Sequence, residues 1–338
     1  MKSFATRFRR QTLGLAEREP SPDFVQRVMA AIGQEPPVRK GSHWGVALAA
    51  AAGIAVLVSV YLAGTFAIGG GQEVVQARLW LLERQGGDGL WHAEAFGGDG
   101  HYTPALTALA LVALGDEPGA RGEVAKGVAA LEASMPSRHD AQSAAYNLTL
   151  GAYALTVLSR SEGHPEARQA LSTVLARLKE HQTAAGGWSY DGSDGNTALT
   201  AWNARVLALA EGGDSPAVKR ALRWLERAKT GSGAFSYSAR DGHTSPTLDA
   251  LAAAAFRAAG VAIEVPVRLQ PSTSASYYEQ FAVALARPSE AVAKGVRKSV
   301  EGRYQGNGTF GADGTWSPVG GQLYNNALAV LTLASVAP

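Results

Sequence analysis

Two kinds of helical stretch alternate along the chain beyond residue 70. One kind is apolar on a single face and charged on the other: residues 73–85, 122–134, 166–181, 216–229 and 290–303. The other is apolar on most sides: residues 103–115, 142–159, 197–211, 246–259, 275–286 and 322–336. A helix with one charged face belongs at a surface and one that is apolar all round belongs inside, so the alternation predicts hairpins with an outer and an inner member. Thr103-Pro104 and Ser245-Pro246 read as N-cap and N1 pairs opening inner helices, and Ser215-Pro216 as the pair opening an outer one. Residues 261–271 read as extended and contain Pro266 and Pro271, so the fifth hairpin lacks an outer helix.

A repeated corner joins the two kinds. Trp80-Leu81 is followed by Gln85, Gly89 and Trp91, and Leu178 by Gln182, Gly186 and Trp188 in the same frame. Trp224-Leu225 leads to Lys229, Gly233 and Phe235, and Val300 to Tyr304, Gly308 and Phe310. The aromatic ends at 91, 188, 235 and 310 are separated by 97, 47 and 75 residues. These intervals leave room for degenerate copies near His139 and between 235 and 310, giving six units. Six helical hairpins, each antiparallel to its neighbour, predict an all-α (α/α)6 toroid over residues 72–338, in which stacking buries what no single pair could. Glycine permits the tight turn after each outer helix, and the aromatic packs on the neighbouring pair.

The frame over residues 80–91, supported by residues 177–188, resembles the QW motif of the terpenoid cyclase and protein prenyltransferase superfamily, the squalene-hopene cyclase group in particular. The resemblance implies the toroid, with Gln85, Gly89, Trp91, Gln182, Gly186, Trp188, Gly233, Phe235, Gly308 and Phe310 as structural corner residues. The chemistry the resemblance would imply has no residues to carry it. An alkene-protonating Asp-x-Asp-Asp acid is absent, and no Asp-Asp pair exists for a diphosphate-magnesium motif. The zinc site of the prenyltransferases and the thioester of complement-like toroids both need cysteine, of which the chain has none.

Composition adds a membrane expectation. Residues 44–68 carry no charge and would reach about 37 Å as a helix, more than the roughly 30 Å of a bilayer core. A cleaved signal peptide is the competing reading, but more than forty residues precede this apolar run. Eight of the 31 basic residues and four of the 29 acidic ones precede the run, leaving 23 and 25 after it. The early basic residues predict an N-terminus in the cytoplasm and a toroid outside it, at the inner (cell) membrane. The near-neutral remainder gives no reason to expect nucleic acid. Within residues 1–43, Ser21 and Pro22 open an amphipathic helix bearing Phe24, Val25, Val28, Met29 and Ile32. That layout is similar to the juxtamembrane part of bacterial anti-sigma factors, which implies a cytoplasmic protein partner for residues 22–32; a basic segment that only fixes topology is the simpler alternative.

Two sets of residues are candidates for function. Asp99, His101, His139, Asp140, Asp191, Asp194, Asp241, His243 and Asp313 lie in the loops that lead into inner helices and would ring one mouth of a toroid. No cofactor is expected; a divalent metal is the one group such a ring could assemble, while Asp-Gly pairs at 99, 191, 194, 241 and 313 fit plain turns equally well. In the cavity wall, Tyr146-Asn147, Trp202-Asn203, Tyr278-Glu279 and Tyr324-Asn325 pair an aromatic with a polar group, with Asp249 in a comparable place. Adjacent helical residues point about 100° apart, so only one of each pair can face the lumen. The expected function is a membrane-anchored binding or scaffolding module for an unknown ligand such as a glycan, peptide or lipid. The alternative is a cavity enzyme, a hydrolase or a divergent cyclase or transferase, using carboxylates such as Asp191, Asp249 or Glu279.

Overall fold

Eleven α-helices occupy the described residues, which in this computed structural model are 71–115, 117–136, 141–239, 242–263 and 276–337. In chain order they are α1 (Gln72–Leu82), α2 (Thr103–Leu114), α3 (Arg121–Ser134), α4 (Gln142–Ser159), α5 (Pro165–Glu180) and α6 (Thr197–Glu211). There follow α7 (Pro216–Ala228), α8 (Pro246–Ala258), α9 (Tyr277–Leu285), α10 (Glu290–Glu301) and α11 (Ser317–Ser335). The described residues contain no strand, only three isolated β-bridges. The expected cytoplasmic segment 1–43, the span 44–68 and the extended stretch 264–271 lie outside the described residues. Among the described helices none is long and apolar enough to cross a membrane.

Burial follows the two sequence patterns. In α2, α6, α8 and α11 most residues are buried, whereas α7 buries a stripe of Ala217, Val218, Ala221, Leu222, Trp224, Leu225 and Ala228 and leaves its charges outside. The apolar helices pack in a fixed order of neighbours: α2 on α4, α4 on α6, α6 on α8, α8 on α9, α9 on α11, and α11 back on α2. Each amphipathic helix lies on that series, α5 against α4 and α7 against α6 for example.

Several helix starts differ from the sequence expectation for local reasons. Thr103 is not an N-cap: α2 begins with it, and its hydroxyl accepts from Ala93 N–H (3.1 Å) and donates to Glu94 Oε2 (3.3 Å) in the preceding 3-10 turn. Ser215 does precede α7, yet its hydroxyl donates to Glu211 Oε2 (2.9 Å) rather than capping. Ser245 caps α8 as expected, accepting from Leu248 N–H (3.3 Å). Helix α11 starts at Ser317, five residues before the predicted start, because Ser317-Pro318 forms a first turn that continues across a non-helical Gly321 (φ 63°, ψ −162°).

The corners explain how the two helix types are locked together. Gln85 Nε2 donates to Gly89 O (2.8 Å) and, on the next amphipathic helix, to Glu123 O (2.8 Å); Gln182 Nε2 repeats this with Gly186 O and Ala217 O (2.9 Å each). One side chain thereby ties its own turn to the start of the following helix. The indoles of Trp91 and Trp188 donate to Leu81 O (2.7 Å) and Leu178 O (2.8 Å), and both rings are fully buried, as are Phe235 and Phe310. Each corner aromatic also donates its backbone N–H to a buried side chain of an apolar helix: Thr107, Thr200, Asp249 and Asn326 in turn. A buried N–H left without such an acceptor would cost about 1–3 kcal/mol. In the last corner Tyr304 stands where glutamine stands in the first two, and Asn326 Nδ2 takes over the bond to Gly308 O (2.9 Å).

Candidate functional site

The first turns of the apolar helices are cross-linked to one another. Asn147 of α4 accepts from Ala105 N–H (3.0 Å) and donates to His101 O (2.8 Å), so it pins the start of α2. Thr197 N–H of α6 donates to Tyr237 O (2.8 Å) in the loop before α8, and Thr247 Oγ1 of α8 donates to Glu279 Oε2 of α9 (3.4 Å). Tyr277 N–H of α9 donates to Asp313 Oδ2 (3.0 Å), Tyr278 N–H to Tyr324 Oη of α11 (3.0 Å), and Asp99 N–H before α2 to Val319 O of α11 (2.7 Å).

Between these first turns opens a cavity whose empty space, counted with its open mouth, is about 670 Å³. Tyr102, Gln142, Tyr146, Tyr278 and Tyr324 line it, with the half-exposed Trp316 at its edge. One or two turns further along the same helices the wall becomes Leu106, Leu109, Leu150, Phe281 and Leu328. Trp202 joins the two zones: its indole N–H donates to Tyr278 Oη (2.8 Å) and its ring packs edge-on against Tyr153 (centroids 5.1 Å). Among the described residues no carboxylate and no cationic side chain lines this cavity.

Of each expected aromatic-polar pair, the aromatic lines the cavity and the polar partner does not: Asn147, Asn203 and Glu279 bond to neighbouring elements and Asn325 to the first turn of its own helix. Tyr146, Trp202, Tyr278 and Tyr324 line the wall, whereas Asn147, Asn203, Glu279 and Asn325 do not. Asn203 is fully buried, accepting from Thr149 Oγ1 (2.8 Å) while its Nδ2 has no partner; Asn325 accepts from Ser317 Oγ (2.6 Å). Asp249, proposed as an acid or base, is buried away from the cavity with Oδ1 on Phe235 N–H (2.7 Å), so the corner rather than a ligand explains its carboxylate. Burial raises the Glu279 carboxyl above its ordinary range, against the bond from Thr247.

The mouth residues divide by role. Asp99 Oδ1 accepts from His101 N–H (2.9 Å) and from His101 Nδ1 (2.8 Å), and Asp191 Oδ1 from Ser193 N–H (3.1 Å); both are exposed turn formers, with the carboxyl pKa lowered by the His101 bonds in Asp99 and by the Ser193 hydroxyl and then its N–H in Asp191. Asp194 and His243 offer carbonyls to Thr183 Oγ1 (2.8 Å) and Tyr237 N–H (2.6 Å). His139, Asp140 and Asp241 lie outside the described residues. Among the described residues no group of three or more His, Asp and Glu could hold a metal ion. Among the described mouth residues, Asp313 joins the cavity wall through its carboxylate, which accepts from Tyr324 Oη (2.8 Å).

The phenols of the wall stay protonated at any physiological pH. Burial pushes Tyr278 up to about 12, and Tyr146 and Tyr324 are raised as well, by burial first and then by Tyr278 and Asp313 respectively. Tyr102 and Trp316 escaped the sequence reading because they stand just before the helices whose first turns it searched, and the leucines because an apolar residue inside an apolar helix carries no distinguishing mark. The signal that could have found the leucines is their i+4 spacing from Tyr146 and Tyr324.

No family model matches the chain, and no curated protein matches its sequence.

Proposed function

We propose that residues 72–338 form an (α/α)6 toroid that binds an uncharged, mainly apolar ligand in its central cavity. Support for the ring comes from the neighbour order of the apolar helices, which returns from α11 to α2, and from the last corner, where Gly308 abuts Gln76 of α1. The observation that carries the binding reading is the lining: tyrosines at the mouth, leucines and phenylalanine beyond them, and no charged side chain among the described residues. Such a wall rewards removal of apolar surface from water at about 25 cal/mol per Å² and would penalise an unpaired ion. The same lining, over the described residues, argues against a glycan hydrolase of the carboxylate-pair type, which needs two carboxylates facing the bond to be broken. A toroid of the terpenoid cyclase and prenyltransferase superfamily without its catalytic motifs fits this use as a binding or scaffolding module.

The uncharged fluorophore N-phenyl-1-naphthylamine tests the reading. The full chain should bind it saturably at one site, and Ala105→Trp, which fills the wall between Tyr102 and Leu109, should weaken binding at least about tenfold while leaving the melting temperature within a few degrees. Equal binding by the two proteins would sink the cavity reading.

The anchor at residues 44–68 belongs to the same proposal and rests on the charge-free run and the basic residues before it. An export-dependent reporter fused after Pro338 should be active, and a silent fusion would overturn the orientation.

A further inference from the structure

A second groove opens where α8 and α9 end and α10 begins, on residues the central cavity does not use. Its empty space, counted with its open mouth, is about 1300 Å³. Two guanidinium groups line it, Arg257 in the last turn of α8 and Arg287 just past α9, together with the hydroxyl of Ser289 before α10. Both arginines are exposed, and among the described residues neither side chain has an ion-pair or hydrogen-bond partner. Glu290, the carboxylate nearest to Arg287 in sequence, pairs with neither. Most of the remaining wall is apolar and includes Val261, Ile263 and Val292; Val261 is 42 % exposed, one of two large apolar side chains so placed among the described residues.

Two further observations set these cations apart from a solvated face. Arg287 has φ 50°, the one positive value outside glycine among the described residues. Glycine would hold that position without the left-handed penalty, and a cation beside the last carbonyls of a helix gains less than the penalty costs. The arginine is therefore kept against the interest of folding, as strained residues are where a side chain meets a ligand. On the inner side of α8, Arg205 of α6 reaches Ala254 O with Nη1 (3.4 Å), one residue from Ala253 of the groove wall, while its buried Nε has no hydrogen-bond partner. Among the described residues no carboxylate pairs with Arg205. Burial lowers the Arg205 pKa, and the charge of Arg287 lowers it further. Three cations without a carboxylate thus lie in and behind one groove, whose apolar wall strengthens their field.

We propose that this groove binds a single-chain amphiphile with an anionic head, a carboxylate or a phosphate monoester, the head taken by Arg257 and Arg287 and the chain laid on Val261, Ile263 and Val292. A guanidinium presents paired donors in the geometry that both oxyanions accept. An anion without a chain would leave the apolar wall wet, and a neutral alcohol would gain no charged hydrogen bond from the arginines. The site is separate from the central cavity, so either can fail without the other.

The full chain should bind dansyl-aminoundecanoate saturably, and Arg257→Gln and Arg287→Gly should each weaken it about tenfold or more, the loss expected for a hydrogen bond to a charged group. Arg287→Gly should do so while melting no lower than the native chain, because glycine removes the left-handed penalty. Arg223→Gln, which removes an exposed cation of α7, and Ala105→Trp, which fills the central cavity, should leave the affinity unchanged. Decanoate and decyl phosphate should displace the probe at far lower concentration than decanol or inorganic phosphate. Should Arg287→Gly fail to fold, Arg257→Gln decides, since the exposed Arg257 side chain makes no bond that folding needs. Native affinity in Arg257→Gln, decanol or inorganic phosphate displacing the probe as well as decanoate, or loss of the probe in Ala105→Trp would overturn the inference.

Discussion

Gly186→Ala should destabilise the protein by about 3 kcal/mol or more, against about 1–2 kcal/mol for Gly192→Ala, measured by urea unfolding. Both glycines have positive φ, 94° and 75°, so both substitutions incur the cost of a Cβ in the left-handed region. Their surroundings differ. A Cβ at Gly192 meets nothing within 4 Å, whereas one at Gly186 would sit 2.7 Å from Arg220 O, a backbone carbonyl of α7. The helix cannot retreat cheaply, because Gln182 Nε2 holds Gly186 O and Ala217 O together (2.9 Å each) and Arg220 donates to Gln182 Oε1. Equal costs for the two alanine variants would show that the corner is not tightly packed against the next helix.

The same substitution at the other corners tests closure of the ring. A Cβ at Gly89 would lie 2.8 Å from Lys126 O on α3, and one at Gly308 would lie 2.8 Å from Gln76 O on α1. In a toroid the last corner is packed as tightly as the others, so Gly308→Ala should match Gly186→Ala. In an open superhelix the Gly308 corner would face solvent, and its alanine variant should cost only the left-handed penalty of about 1–2 kcal/mol.

Helix positions were legible in the sequence because local chemistry sets them. Pro165, Pro216 and Pro246 stand in the first turns of α5, α7 and α8, and the apolar stripe of α7 is visible at helical spacing. The corners were legible because one frame recurs with invariant spacing from helix to glycine to aromatic. Their acceptors were not. Thr107, Thr200, Asp249 and Asn326 do one job but differ in residue type and stand 16, 12, 14 and 16 residues after their aromatics, since loop length between corner and helix varies. The cavity wall was half legible. Aromatic-polar doublets marked turns that line the cavity, but which member faces it depends on helix rotation, and that is fixed by partners on neighbouring helices such as Ala105 N–H for Asn147 and Thr149 Oγ1 for Asn203. The kink at Gly321 was also hidden, because a Gly-Gly pair inside an apolar run does not say whether the helix bends or ends.

Asp313→Asn should cost about 3 kcal/mol at neutral pH, and the cost should shrink as the pH falls below about 4. The carboxylate joins three elements. Its Oδ1 accepts from Thr315 N–H (2.9 Å), Trp316 N–H (3.0 Å) and Ser317 N–H (3.2 Å), closing the loop into α11, and its Oδ2 accepts from Tyr277 N–H of α9 (3.0 Å) and Tyr324 Oη of α11 (2.8 Å). Asparagine can keep one of these faces as an acceptor, but its NH₂ then confronts donors on the other. Burial by itself would raise the Asp313 carboxyl; the bonds from Tyr277, Tyr324, Thr315 and Trp316 outweigh it and hold the pKa below the ordinary value. A group whose folded pKa is depressed stabilises the protein above its unfolded pKa of about 3.9, and that contribution disappears as pH falls through the lower folded value. The native protein should therefore lose stability relative to Asp313→Asn over that acid window, and a pH-independent difference between the two would refute the role given to the carboxylate. Because Tyr324 and Tyr278 are set by the same bonds and both line the cavity, the asparagine variant should also bind the naphthylamine probe more weakly at neutral pH, where its fold is still intact. Loss of stability with unchanged binding would separate the scaffold from the site, and would place the tyrosine wall under the control of helix packing alone.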